Sequence, residues 1–355
     1  DRELLPAYLR FVRGIIDSED LPLNVSREIL QQNRILETIK AQSVKKLLGE
    51  FKKLGDEADK ARKSEKPTDA EKKAIEKWNT FIAQFNRPMM EGLYSDFANR
   101  AEIAEIVRFK TTYKPDVKDA SAAEKDAGTA GDSGQNAADK TAGGEWTSFA
   151  DYVQRMKSGQ KSIYYITGTD ENNLRSSPLL EAYTKKGFEV LIIASDIADI
   201  VIPAFGKYKD FELKSVNRAG SDDELGVDKA EAEKKEKEFK PIVEKIKEAL
   251  GDKVKEVKLS KRLSDSPSCI VVDENDPSFQ MERMMKAMGQ TGVDVKPILE
   301  VNGDHPIVQK LKDTDDKERI ADISFVLLDQ ALLVGGEELK DPADFVRRMN
   351  NLLSR

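Results

Sequence analysis

The sequence predicts an α/β protein of more than one domain. Three observations lead there. Between 146 and 222, the apolar runs SIYYITG, FEVLIIA and FELKSV alternate with helical stretches, the pattern of a mostly parallel sheet covered by helices. Long segments with apolar residues three and four apart flank that region on both sides, as amphipathic helices require. A length of 355 residues also exceeds what one core usually serves.

At the start, LRFVRGII (9–16) alternates well enough for a strand. After the loop DSEDLP, Ser26 can cap a long helix running to about Arg62. Its stripe comprises Ile29, Ile35, Leu36, Ile39, Val44, Leu47, Leu48 and Phe51. Pro67 and Thr68 open a second helix carrying Ile75, Trp78, Ile82 and Phe85, which Pro88 is expected to break. A helix over 101–109 turns Ile103, Ile106 and Val107 inward.

Residues 116–145 hold Val117 as their one large aliphatic residue and no aromatic. Such a stretch buries too little surface to offset its ordering entropy and reads as a disordered insertion. Beyond it the spacing predicts a helix at 147–157, a strand at 162–168 and a helix at 174–186 ended by Gly187. A strand at 188–194, a helix at 196–206 and a strand at 211–216 follow. The charged segment 227–250 is helical, with Pro241 marking a kink or a new first turn. The last block predicts strands at about 253–263, 268–273 and 296–301, a helix at 277–288, and closing helices at 316–334 and 341–353.

Composition narrows the function. Charged residues are 35%, apolar residues 39%, and the net charge is −7. That balance argues against a general nucleic-acid binder. No apolar run approaches the ~20 residues of a membrane span, and no signal peptide precedes the domain pattern. Cys269 is the single cysteine, which excludes an internal disulfide and a multi-thiolate metal site. His305, in NGDHP, is the single histidine; either it or Asp304 caps a helix there, with Pro306 in the first turn. These features point to a reducing, cytosol-like compartment and to no metal centre. The chain opens at Asp1 without an initiator Met, and reads as part of a longer protein.

Three stretches invite a functional reading. In LPLNVSREILQQNR (21–34), Arg27 stands in a first helical turn, where acids are the rule. It either holds a local carboxylate such as Glu28 or Asp20, or serves a site elsewhere. In FQMERMMKAMGQ (279–290), Met281, Met284, Met285 and Met288 share one helix face. That face is either core or a surface for varied apolar ligands. In the closing helices, one stripe runs through Ile320, Ile323, Leu327, Ala331 and Val334, another through Phe345, Met349 and Leu352. They pack on their own sheet or form a two-fold four-helix bundle with a second copy.

The chain resembles the ninety-kilodalton heat-shock chaperone family, including its bacterial high-temperature protein G type. The resemblance is carried by DSEDLPLNVSREILQQNR, EGLYSDFANRAEIAEIVRF, DYVQRMKSGQKSIYYITG, RSSPLLEAYTKKGFEVL, VKLSKRLSDSPSCIV and LLDQALL, in that order. It implies a middle-plus-C-terminal region. Residues 1–62 would be the C-terminal part of a large α/β/α middle subdomain with its long helix, and 63–112 a helical connector. Residues 113–145 would be the insertion, 146–222 a small α/β/α subdomain, and 223–355 an α+β C-terminal domain ending in a dimerising helix pair.

The resemblance also implies a function: a homodimeric chaperone for unfolded or partly folded clients, with an ATP-driven open and closed cycle in the full-length protein. ATP and Mg²⁺ would be bound mainly by an N-terminal domain outside this chain, so the chain alone would be inactive and bind neither. Arg27 matches the arginine that reaches the ATP γ-phosphate, Gln31 a supporting polar residue, and Asn24 lies in the same loop. Phe279 and the four methionines match a client-binding segment. Ile320, Ile323, Leu327, Ala331, Phe345, Met349 and Leu352 match the dimer interface. The helix at 196–206, with Ile200, Val201, Ile202 and Phe205, is a further client surface, although several bacterial relatives carry a tryptophan where Val201 falls.

Co-chaperones are implied partners; nucleic acid and a membrane span are not. The chain ends NNLLSR, without the acidic tail of cytosolic eukaryotic members, which favours a bacterial or organellar type; the expected location is the bacterial cytoplasm, with an organellar matrix as the alternative. The alternative reading is a non-catalytic dimeric scaffold for one fixed partner. A stand-alone α/β enzyme would need a pocket at the sheet's carboxyl edge.

Overall fold

The computed structural model describes residues 4–15, 34–114, 146–221, 225 and 229–354, with Arg34, Ile35 and Lys229 described by backbone alone. The fold is mixed α/β with two small sheets among the described residues. The chain divides into two compact units, residues 1–154 with 201–208, and residues 155–200 with 209–355.

In the first unit a short 3₁₀ turn, Ala7–Leu9, precedes α1 (Arg34–Arg62) and α2 (Asp69–Ser95). Thr68 starts α2 with a reciprocal cap: its hydroxyl accepts from the Glu71 N–H at 3.3 Å, and the Glu71 carboxylate accepts from the Thr68 N–H at 2.7 Å. α3 (Arg100–Ile106), β1 (Lys110–Thr111) and α4 (Phe149–Arg155) follow. The seam between α1 and α2 is aromatic. Phe11 stacks on Phe85 with centroids 4.2 Å apart, and Trp78 on Phe81 at 5.3 Å. Gly55 permits this packing, because a Cβ there would stand 2.9 Å from the Trp78 ring.

Two expectations fail here. Residues 9–15 form no strand. Pro6 leads into the 3₁₀ turn that Leu9 closes, with Tyr8 and Leu9 buried. Nor does Pro88 end α2. Met89, Met90, Gly92 and Leu93 are buried beyond it, and their burial offsets the ~3 kcal/mol that an internal proline costs a helix.

The second unit begins with β2 (Ser162–Gly168), α5 (Glu171–Arg175), a 3₁₀ turn at Pro178–Leu180, α6 (Glu181–Lys186) and β3 (Val190–Ala194). The single helix expected at 174–186 is therefore broken. Ser177 accepts from the Leu179 N–H at 3.3 Å and Pro178 starts the new turn. Gly187 ends α6 at φ 69°, as its type predicts. α7 (Ala198–Phe205) carries the chain into the first unit, to which β4 (Lys207–Tyr208) belongs.

β5 (Phe211–Ser215) returns to the second unit. β2 is central and pairs in parallel with both β3 and β5, Tyr164 opposite Val190 and Ser162 opposite Glu212. Next come α8 (Lys229–Leu250), unbroken by Pro241, then β6 (Glu256–Leu259), β7 (Ser268–Val271) and α9 (Phe279–Ala287). β8 (Ile298–Val301), α10 (Pro306–Gln309), α11 (Lys317–Val334) and α12 (Pro342–Ser354) complete the unit. In the second sheet β8 lies between β6, its parallel partner, and β7, its antiparallel one. Ile242 and Ile246 of α8, Leu299 of β8 and Leu327 of α11 meet in one core.

Candidate functional site

Arg27, Gln31 and Asn24 lie outside the described residues, as do Ser26, Ile29 and the stretch 116–145. The described candidates sit on α9, α11 and α12.

α9 starts at Ser278, whose hydroxyl accepts from the Met281 N–H at 3.1 Å. The helix buries an unexpected face. Phe279 packs against the core of the second sheet, and Glu282 is buried and held by Lys286. Arg283 pairs with Glu337. The methionine face is turned the other way: Met288 is 63% and Met284 37% exposed, with Met281 and Met285 half-buried. Gly289, at φ 82°, follows the helix directly. Met284 and Met288 are therefore not core residues, and Phe279 and Glu282 occupy the inward positions.

The closing helices divide the residues expected at a dimer interface. Ile323, Leu327 and Ala331 are 1%, 0% and 3% exposed and belong to the chain's own core. α11 lies on the sheet, where Ser268 donates its hydroxyl proton to the Leu327 carbonyl at 2.7 Å and Gln330 donates to the Ser268 hydroxyl at 3.0 Å. Ile320 is half-buried against the same core. α12 contains no buried residue; Phe345, Met349 and Leu352 are half-exposed, while Val346 and Leu353 are exposed. Leu333 and Val334, at the end of α11, are exposed too.

An ion cluster fixes α12 on α11. Arg348 donates to Asp322 at 3.0 Å and to Asp344 at 2.6 Å, and its guanidinium lies 4.3 Å from the Phe325 ring centroid. Hydrogen bonds first from Arg348 and then from Arg347 hold the Asp344 carboxyl below the usual range. Asp329, one turn from Phe325 on α11, behaves oppositely. Burial raises its pKa to about 6; the Arg348 charge opposes that shift, and Asp344 and Asp341 add to it.

Sequence reasoning missed a cavity of about 520 Å³ in this unit. Its apolar lining includes Phe279, Phe325, Leu328 and Leu332, and Asp329 is in its wall. The signal was an acid embedded in the apolar run FVLLDQALLV. It also missed Arg262, a buried cation in SKRLSDSP.

Other sequence features resolve simply. His305 caps α10, its Nδ1 accepting from the Ile307 N–H at 3.3 Å, with Pro306 in the first position. Cys269 is buried. Val201 and Ile202 of α7 are 3% and 0% exposed, so these two side chains do not offer the surface expected of them. At the carboxyl end of β2 the free space is only about 70 Å³, well below the ~300 Å³ at which ligand pockets begin. There Asn217 accepts from the Thr167 N–H at 3.0 Å and donates to its carbonyl at 3.2 Å, while Asp170 caps α5. Among the described residues, no group of three or more His, Cys, Asp or Glu could hold a metal ion. No helix among them is long and apolar enough to cross a membrane.

Comparison with known proteins supplies the frame for these features. A sequence model described as Hsp90 protein matches residues 1–123 and 137–355, leaving a gap inside the 116–145 stretch. The chaperone protein HtpG of Treponema denticola is 63% identical over 357 residues, covering 100% of this chain and 49% of the relative. HtpG of Treponema pallidum is 50% identical over 358 residues, and that of Wolinella succinogenes 43% over 358, each covering 100% of this chain and 50% of the relative. The chain thus spans about half the length of the curated relatives it matches. With a family match across nearly all of its residues, the chain belongs to the Hsp90 family.

Proposed function

We propose that this chain is the client-holding and self-associating part of a molecular chaperone. It binds unfolded or partly folded proteins as a homodimer, with co-chaperones as further partners. Family membership supports the chaperone reading, and one observation carries the assignment of a surface: α9 turns Met284 and Met288 to solvent while its inward positions go to Phe279 and Glu282. Flexible, polarizable methionines accept apolar segments of many shapes. Phe279 supports that helix from beneath, and Met281 and Met285 border the exposed pair. The dimer surface is assigned to Phe345, Met349 and Leu352 with their exposed neighbours Val346 and Leu353, while Ile320, Ile323, Leu327 and Ala331 form the base on which α12 rests.

In the longer protein, ATP and Mg²⁺ drive the cycle from a separate nucleotide domain. Arg27 donates to the γ-phosphate, a task suited to a planar and always charged fork. Gln31 supports it from one turn further on, and Asn24 shapes the loop. The site of action is the bacterial cytoplasm.

Competition among clients tests the reading. Three unrelated unfolded proteins should displace one another from the chain with weak, comparable affinities. Tight binding of one protein, unaffected by the others, would make it a scaffold for a fixed partner.

A further inference from the structure

The face of α9 opposite the methionines borders the 520 Å³ cavity through Phe279, Glu282, Arg283 and Lys286. That volume falls within the ~300–1,000 Å³ of small-ligand pockets, and every lining residue belongs to the second unit. The cavity combines an apolar lining with a charge imbalance: eight carboxylates line it against five lysines and arginines.

Most of the acids nearest the apolar lining are already matched. Glu282 is held by Lys286, Glu337 by Arg283, and Asp344 by Arg347 and Arg348. Asp329 is the exception. The cation nearest in effect is Arg348, whose hydrogen bonds go to Asp322 and Asp344 instead. A half-buried carboxylate therefore stands beside Phe325, Leu328 and Leu332 without a hydrogen-bonded cation among the described residues. Burial of an unmatched charge is costly, and a cation brought in from outside would relieve it.

We propose that this cavity receives a lysine or arginine side chain, flanked by an apolar residue, from a bound polypeptide, with Asp329 as its counter-ion. The proposal rests on the client-holding reading and adds a preference to it: clients are selected for basic residues beside apolar ones. The methionine face supplies general apolar affinity, and the cavity supplies the discrimination. The groups facing the Asp329 carboxylate bear on its pH dependence. Arg348, Asp344 and Asp341 from α12 and its approach act on it directly, while Lys340 and Glu338 from the preceding loop and Arg283 and Lys286 from α9 line the same cavity. Protonation of Asp329 on acidification removes the counter-ion, so the preference fades below about pH 6.

The test compares fluorescently labelled unfolded peptides that alternate Leu, Phe and Arg with counterparts carrying Gln for Arg, in 0.15 M salt. The wild-type chain should bind the Arg peptides about ten-fold tighter at pH 7.5, and equally at pH 5. Asp329→Asn should abolish the preference at pH 7.5 and leave binding of the Gln peptides intact. Met284→Ser with Met288→Ser should weaken both peptide classes alike and keep their ratio. Equal affinities in the wild type, or an undiminished ratio in Asp329→Asn, would overturn the proposal, as would Arg-peptide binding that strengthens on dilution because a second copy covers the cavity. A small probe, 3-phenylpropylguanidinium, separates this proposal from the client reading. Shifts at Phe325 and Leu332 resonances that vanish in Asp329→Asn support the site even where no peptide binds. Absence of such shifts, with peptides still bound, rejects the cavity alone.

Discussion

The guanidinium of Arg262 donates to both oxygens of Glu300, from Nε at 3.0 Å and from Nη2 at 3.2 Å, with the Arg262 side chain fully buried. The same cation reaches the Val216 carbonyl at 2.8 Å and the Ser221 hydroxyl at 3.3 Å. One side chain thereby joins β8 of the second sheet to the end of β5 of the first. Breaking a buried pair leaves an uncompensated charge, at a cost of about 3–5 kcal/mol. Glu300→Gln should lower the unfolding free energy by that much, with a matching fall in the denaturant midpoint, and Arg262→Met with Glu300→Leu should recover most of the loss. A midpoint unchanged in Glu300→Gln would show that the pair contributes nothing.

The closing helices predict two separable phenotypes. Leu327→Ala removes a fully buried side chain and should cost about 2–5 kcal/mol in stability. Val346→Asp with Leu353→Asp alters exposed positions, so the chain should stay folded, with the intrinsic stability of its monomer shifted by under about 0.5 kcal/mol, while sedimentation moves from dimer to monomer. A dimer that survives the double aspartate variant would place self-association elsewhere.

Asp329 predicts the direction of a pH effect. Its folded pKa of about 6 lies above the usual ~3.9 of an unfolded Asp. Between these values the folded state binds the extra proton, so stability falls as pH rises from about 4 to 6 and stays lower above. Asp329→Asn should flatten that slope and stabilise the chain at pH 7 by about 1 kcal/mol, a figure reduced for the group's half-exposed position. Thermal melts from pH 4 to 8 read the difference; a steeper wild-type loss toward acid would reverse the sign and refute the assignment.

These features were unevenly legible in the sequence. SIYYITG declared β2 outright, because β-branched and aromatic residues crowd a short run between polar neighbours, and the strand spans Ser162–Gly168 as expected. Gly187 likewise announced its cap. Pro178 was a visible break in RSSPLL that the helical spacing around it concealed. The alternation of LRFVRGII misled because its first residue, Leu9, closes the 3₁₀ turn begun at Ala7 instead of opening a strand. The stripe on α11 located a helix but not its partner, since Ile323, Leu327 and Ala331 are as suited to a sheet as to a second copy. The cavity beside Asp329 depends on α9, α11 and α12 meeting, which no local pattern encodes.

For Arg27, proposed as the donor to the γ-phosphate, the expected outcome is kinetic. The 355-residue chain alone should show no ATP turnover above background. In the longer protein, Arg27→Ala should slow hydrolysis about 10²–10³-fold, the loss typical of a donor that stabilises transition-state charge. An unchanged rate would remove Arg27 from the phosphate site.

The claim on which the account turns is that unfolded chains dock on the exposed methionines of α9. Anisotropy titration of a labelled, permanently unfolded protein against the wild-type chain and a Met284→Glu, Met288→Glu variant tests it directly. The variant should lose at least ten-fold in affinity, with unfolding midpoint and sedimentation unchanged. Equal binding by both proteins would contradict it.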